Sequence, residues 1–158
     1  MNLFDQQPLT KKNGATCMDG SQFMIYTYMP DDVDPVNKLM IYFEGNWEGW
    51  CPKGDFSKTI DHCSKYTTDK NFIDYGSSQN YPSDEFFLVG ILAFDSIFNA
   101  YPKVLVKTCD GGSFFSNSSV NYKNKTLQFR GQNNVIEMLN YLKSINWLQD
   151  REEIVLAG

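Results

Sequence analysis

Ile154-Val155-Leu156-Ala157-Gly158 is the stretch on which the reading of this chain turns. A short aliphatic run entering a glycine reads as a buried central strand followed by a sharp strand-to-helix turn, the kind that presents a nucleophile in Gly-x-Ser-x-Gly sequences. The 158 residues end at that glycine. Domains more often fray out through polar residues, so the polypeptide is expected to continue past Gly158.

Working back from this strand, residues 147–153 form a polar connection from a helix. Val135, Met138, Leu139, Leu142 and Ile145 recur at three- and four-residue spacing, with Glu137, Asn140 and Lys143 between them. That period gives one apolar face for packing on a sheet. Further back, Val104-Leu105-Val106 is β-branched and bounded by Pro102 and by Asp110-Gly111-Gly112, which marks a strand. Strand, loop, helix, strand is a crossover unit joining parallel strands. Residues 39–43, Leu-Met-Ile-Tyr-Phe, are continuously apolar and suit an interior strand. Residues 23–29 read as an earlier strand paired with it across the turn formers at 30–35. Residues 86–98 are ambiguous between strand and helix. A short helix over 56–65 follows the candidate cap Asp55.

Composition narrows the function. At 42% apolar and 15% aromatic the chain can build a core, and a formal charge of -5 provides no cationic footprint for nucleic acid or an anionic membrane. No stretch reaches transmembrane length, and the first eight residues lack the apolar run of a signal peptide. Cys17, Cys51, Cys63 and Cys109 contain no Cys-x-x-Cys pair, so disulfides fit better than zinc, and four cysteines allow three pairings. The sequons at Asn117 and Asn124 lie in a polar stretch suited to an exposed loop and point to the same oxidising compartment. Together they favour a secreted protein whose leader is not among these residues.

Three groups of residues are candidates for chemistry. Glu44-Gly45-Asn46-Trp47 ends the strand at 39–43, and a small-residue turn there can aim backbone N–H groups at an oxyanion. An ordinary strand-end turn packed by tryptophans is the plainer alternative. Asp110 and Ser113 follow a strand at the edge where ligands collect in open α/β sheets, although an Asp capping its own turn fits equally well. Ser113 lacks the glycine two positions on that a Gly-x-Ser-x-Gly nucleophile requires. Arg130 reads as an anchor for the start of the helix, and His62, the one histidine, as a solvated loop residue.

Several of these pieces also stand in a familiar order. Gly14-Ala15-Thr16-Cys17-Met18-Asp19-Gly20-Ser21, Glu44-Gly45-Asn46-Trp47-Glu48-Gly49-Trp50-Cys51, Gly90-Ile91-Leu92, Cys109-Asp110-Gly111-Gly112-Ser113-Phe114, Phe129-Arg130-Gly131-Gln132 and Leu156-Ala157-Gly158 together resemble the pectin acetylesterase and Notum carboxylesterase family, over residues 14–158. The resemblance implies an α/β-hydrolase-type three-layer fold, here the N-terminal portion of a mostly parallel sheet and a single incomplete domain over residues 1–158. It implies a secreted serine carboxylesterase that deacylates an extracellular glycan or another ester, without metal or organic cofactor.

Gly158 matches the first glycine of the family's Gly-Cys-Ser-Ala-Gly elbow, so the implied nucleophile lies two positions beyond it. The acid and histidine lie further on, and none of the Ser/Asp/His triad is present here. The oxyanion turn departs from the family pattern at Asn46. Aligned from the left, Asn46 and Trp47 follow Gly45 as donors; aligned from the right, Gly49 and Trp50 take the place, with Trp50 also near the pocket. Asn tolerates left-handed backbone well enough to keep a donor there. The resemblance further implies Cys51–Cys63 and Cys17–Cys109 disulfides. As these residues stand, the expectation is an inactive chain carrying the oxyanion side of the site. The alternative is a non-catalytic, glycan-binding extracellular protein with the same half-fold.

Overall fold

A computed structural model of the chain describes residues 4–10, 14–30, 37–45, 63, 65, 76–79, 81–85, 90–93, 95–112 and 114–158. The strands are β1 (Phe4–Pro8), β2 (Met24–Tyr28), β3 (Lys38–Phe43), β4 (Asp84–Glu85), β5 (Lys103–Val106), β6 (Ser118–Tyr122), β7 (Lys125–Phe129) and β8 (Glu153–Ala157). A 3-10 turn occupies Gly90–Leu92, and helix α1 runs over Gly131–Ser144. The main sheet has the order β4-β1-β2-β5-β3-β8, and β6 and β7 form a separate two-stranded hairpin.

The sheet is mixed. β5, β3 and β8 are parallel, whereas β4, β1, β2 and β5 pair antiparallel. The crossover read from the sequence is therefore present, with β3 lying between β5 and β8. The pairing expected between residues 23–29 and 39–43 is not: β5 separates β2 from β3, because the fully buried Lys103–Val106 segment fills the centre of the sheet. Residues 154–157 do not form a central strand among the described residues. β8 is an edge strand, with Val155 and Ala157 packed on the core and Ile154 and Leu156 exposed by 43% and 66%.

The amphipathic helix forms as its spacing predicts, but its buried face differs. Met138 and Leu142 enter the core, while Leu139 and Ile145 remain exposed. Glu137 is buried because its carboxylate accepts a hydrogen bond from Thr10 Oγ1, 127 residues away in sequence. The helix ends in a Schellman arrangement. Asn146 takes φ 61°, and the N–H groups of Asn146 and Trp147 return to the carbonyls of Lys143 and Leu142. Arg151 then donates to the Lys38 carbonyl at 3.1 Å, which docks the approach to β8 on the start of β3.

The polar stretch carrying the sequons is a hairpin and not a loop. Val120, Tyr122, Leu127 and Phe129 alternate with polar residues, and they pack as a satellite cluster with Met18 and Cys63. Lys123 and Asn124 both take left-handed backbone, φ 45° and 62°, as a two-residue I′ turn requires. Of the segment at 56–65 only Cys63 and Lys65 are described, whereas at 86–98 the residues outside are 86–89 and 94, and the rest is neither strand nor α-helix but 3-10 turn, turn and bend. Cys63 and Lys65 are helical, and Gly90–Leu92 is a 3-10 turn.

Cys17 and Cys109 form a disulfide spanning 92 residues, and both are buried. It joins the N-terminal segment to the end of β5, next to the Met18 N–H that donates to the Cys109 carbonyl at 2.7 Å. Replacing both cysteines by alanine is expected to lower unfolding free energy by about 2–5 kcal/mol, chiefly by freeing the unfolded chain, as read from denaturant midpoints.

Lys103 is an unusual core residue. It is fully buried, its ammonium donates to the carbonyls of Asn99 (3.2 Å) and Tyr101 (3.4 Å), and it stands 4.8 Å from the Tyr28 ring centroid. Desolvation lowers its pKa to about 8 from 10.5. Between these values the unfolded chain holds the proton more tightly, so this group makes stability rise with pH from about 8 to 10.5. Below pH 8 the folded chain carries the whole cost of the buried charge. Chemical denaturation of wild type and Lys103→Met across that range should show a steeper rise for wild type; parallel curves would mean that Lys103 titrates normally.

Candidate active site at the strand ends

The parallel register brings two segments of interest to one edge. Tyr42 pairs with Ala157, so the chain leaving β3 at Glu44-Gly45 and the chain leaving β8 at Gly158 emerge side by side. The approach is close. A β-carbon on Gly158 would lie 2.7 Å from the Phe43 carbonyl oxygen and 3.3 Å from the Phe43 β-carbon, so only glycine fits without displacing backbone.

Glu44 is fixed from the neighbouring strand. Its N–H donates to the Val106 carbonyl at 2.9 Å, its carbonyl accepts from Thr108 Oγ1 at 2.7 Å, and its carboxylate lies 3.7 Å from Lys107 Nζ. Gly45 follows, exposed and with open space where a side chain would stand. Asn46, Trp47, Trp50, Cys51, His62 and Ser113 lie outside the described residues. Cys63 is disulfide-bonded; Cys51, its expected partner, is one of those outside.

Asp110 stands where β5 leaves the sheet, and it is 1% exposed. Its Oδ1 accepts from the Gly112 N–H at 3.0 Å, and its Oδ2 accepts from Ser116 Oγ at 2.7 Å and from the Gly131 N–H. The first contact is the self-capped turn weighed in the sequence. The Gly131 contact had no local signal, because donor and acceptor are 21 residues apart. α1 has no side-chain cap of its own: Arg130 occupies the cap position and makes no such bond. Asp110 and the Ser116 carbonyl, which accepts from the Gln132 N–H at 3.0 Å, serve that role from a distance. A carboxylate at a helix N-terminus is also favoured by the helix dipole.

Arg130 anchors the same junction. It donates to Gln128 Oε1 at 3.2 Å and to Asn117 Oδ1 at 2.9 Å. Asn117 and Asn124 are both exposed, Asn124 at the hairpin tip. Sequence reasoning missed Phe114. It takes φ 67°, its ring meets Phe43 edge-on at 5.0 Å, and its backbone lies so close to Gly131 that a β-carbon there would be 2.6 Å from the Phe114 Cα.

Two open hollows lie elsewhere. One of about 550 Å³ is lined by Leu9, Thr10, Glu137 and Tyr141 among others, and one of about 360 Å³ by Asp19, Gln79 and Lys125 with its neighbours. Neither is lined by Gly45, Asp110 or Gly158. Among the described residues no three His, Cys, Asp or Glu side chains form a metal-binding group, and no helix is long and apolar enough to cross a membrane.

A mixed sheet with a parallel half joined through a crossover helix fits an α/β-hydrolase-type fold, and the structural likeness agrees. The Wnt deacylase Notum from Drosophila superposes with a TM-score of 0.74 at 14% identity, covering 99% of this chain and 43% of that one. The pectinacetylesterase family model matches residues 6–158, and the chain belongs to that family. Pectin acetylesterase 5 of Arabidopsis thaliana is 31% identical over 156 residues, 95% of this chain and 33% of the relative. Pectin acetylesterase 4 of the same plant is 32% identical over 128 residues, 77% of this chain and 28% of the relative. The chain thus spans about a third of the length of these relatives.

Asp110→Ala would leave the Gly131 and Gly112 N–H groups without their acceptor. It should cost about 2–3 kcal/mol of stability, measured by urea unfolding. Unchanged stability would remove Asp110 from the frame and return it to the pocket.

Proposed function

We propose that these residues furnish the oxyanion side of a serine carboxylesterase acting on an acylated extracellular glycan or another ester. The observation that supports this reading is the close packing of Gly158 on the Phe43 carbonyl, beside the point where the chain leaves β3 at Glu44-Gly45. Membership of the pectinacetylesterase family supports the ester chemistry.

In a polypeptide of the relatives' length, the serine two positions past Gly158 attacks the ester carbonyl, helped by a histidine that an aspartate orients. On this reading backbone N–H groups after Gly45, from Asn46 and Trp47, receive the developing oxyanion, Trp50 and Ser113 are the residues assigned to the pocket, and Asp110 holds the frame behind it. The same reading makes the protein extracellular, with Cys51–Cys63 clamping the oxyanion turn and glycans on Asn117 and Asn124. The 158 residues alone lack the nucleophile and turn over no ester.

The test compares two proteins on p-nitrophenyl acetate: the 158-residue chain and the gene's full-length product. The shorter chain should match background, and the longer should hydrolyse the ester and lose activity to a serine-directed phosphonate. Serine-dependent hydrolysis by the 158 residues would overturn the mapping of the nucleophile, and an inactive full-length product would defeat the esterase reading.

A further inference from the structure

Four polar side chains of α1 share one stripe. Glu137, Asn140, Tyr141 and Ser144 stand at i, i+3, i+4 and i+7, beside the stripe on which Met138 and Leu142 enter the core. Leu9 and Thr10, where the chain leaves β1, stand across from them, and the hollow of about 550 Å³ lies between these two walls. Small-molecule sites occupy about 300–1,000 Å³, so the space is of the right size for a ligand.

Both walls are fixed before anything enters. The Leu9 N–H donates to the Phe23 carbonyl at 3.0 Å, and the Leu9 carbonyl accepts from Gln22 Nε2 at 2.7 Å. Two bonds tie the helix to this segment: Thr10 Oγ1 donates to Glu137 Oε1, and the Tyr141 hydroxyl donates to Gln7 Oε1 at 3.2 Å. The Tyr141 ring is backed by the core. A hollow held in this way loses little freedom when a ligand binds.

The lining suits a molecule that carries hydroxyls on an apolar ring. Glu137, 7% exposed, contributes a carboxylate, whose oxygens accept several donors. Asn140 and Ser144 are exposed and add an amide that both donates and accepts and a hydroxyl, while Leu9 and Tyr141 add apolar surface. A neutral pyranose uses all of these, with hydroxyls donating to Glu137 and accepting from the Asn140 amide and with its C–H face on the aromatic ring. An anion is repelled by Glu137, and a lone ammonium leaves the amide and the ring unused.

We propose that this hollow is a saccharide-binding site, apart from the strand-end edge, in which Glu137, Asn140 and Tyr141 hold a neutral pyranose unit. It needs neither the nucleophile nor the oxyanion turn, so it stands independently of the esterase reading. In an enzyme that acts on a glycan, it holds a length of the polymer away from the reacting ester.

The test is saccharide binding by the full-length gene product, measured by calorimetry and saturation-transfer NMR with neutral galactotetraose and with its carboxylated counterpart, tetragalacturonate. Wild type should bind the neutral oligomer, and the uronate, which brings carboxylates against Glu137, more weakly. Asn140→Ala, at an exposed position, should weaken the neutral oligomer by about three- to tenfold. Glu137→Gln should weaken it by roughly tenfold or more and narrow the gap between the two oligomers. Lys143→Ala, on the same helix but off the stripe, should bind as wild type. A wild-type protein that binds no galactotetraose at millimolar concentration, equal affinity for the two oligomers, or folded Asn140→Ala and Glu137→Gln proteins that bind as wild type would each overturn the site. Binding that a serine-directed phosphonate abolishes would overturn it too, because the sugar would then lie at the strand-end edge. An active esterase without this binding keeps the esterase reading and loses the site, and an inactive protein with it does the reverse.

Discussion

The geometry of the strand-end edge depends on one buried carboxylate. Asp110 accepts hydrogen bonds from the turn that follows it, from Ser116 and from the first residue of α1. A buried carboxylate is tolerable only when its oxygens are well supplied with donors, and here the donors come from separate parts of the chain. The end of β5, the approach to the β6–β7 hairpin and the start of the helix therefore meet at one side chain. The Cys17–Cys109 disulfide ends one residue before it, so the N-terminal segment is fastened to the same point.

From that frame the parallel half of the sheet positions the rest. β5 holds β3 on one side, β8 holds it on the other, and the register fixes which residues emerge together at the C-terminal ends. Glu44 is bonded to β5 and Thr108, so the direction in which the chain sets off towards Asn46 is set before any loop residue contributes. Ligand sites of open α/β sheets lie outside the carboxyl ends of strands because backbone leaves the sheet there and side chains converge. In this chain the convergence involves Phe43, Phe114, Gly45 and Gly158.

Much of this was legible in the sequence, and what was not has identifiable reasons. The strands at 39–43 and 104–106 and the helix after Arg130 follow from local patterning, because burial on both faces and 3.6-residue spacing leave direct marks. Strand order does not leave such marks. β2 and β3 are successive long strands, yet β5 lies between them, a choice made by packing across 60 residues. The hairpin was hidden differently: Val120, Tyr122, Leu127 and Phe129 show period-two spacing, but serine, asparagine and lysine around them read as loop. Of the candidate site, Gly45, Asp110 and Gly158 could be named from motifs. Phe114 closes one of those motifs, but its role could not be read there, because it comes from a close contact with Gly131 and from the sign of one backbone angle.

The disulfide also has a topological consequence. Cys17 and Cys109 close a covalent ring that contains β2, β3, β4 and β5, while β1, the hairpin, α1 and β8 hang outside it on the two tails. A protease that cuts once within the ring opens it without separating the chain into two molecules. The pieces stay joined at sulfur, and the cut ends remain tethered close to the strands from which they came. Damage in the segment after Gly45 would thus go unseen on a non-reducing gel, and the two halves of the sheet would still be one polymer.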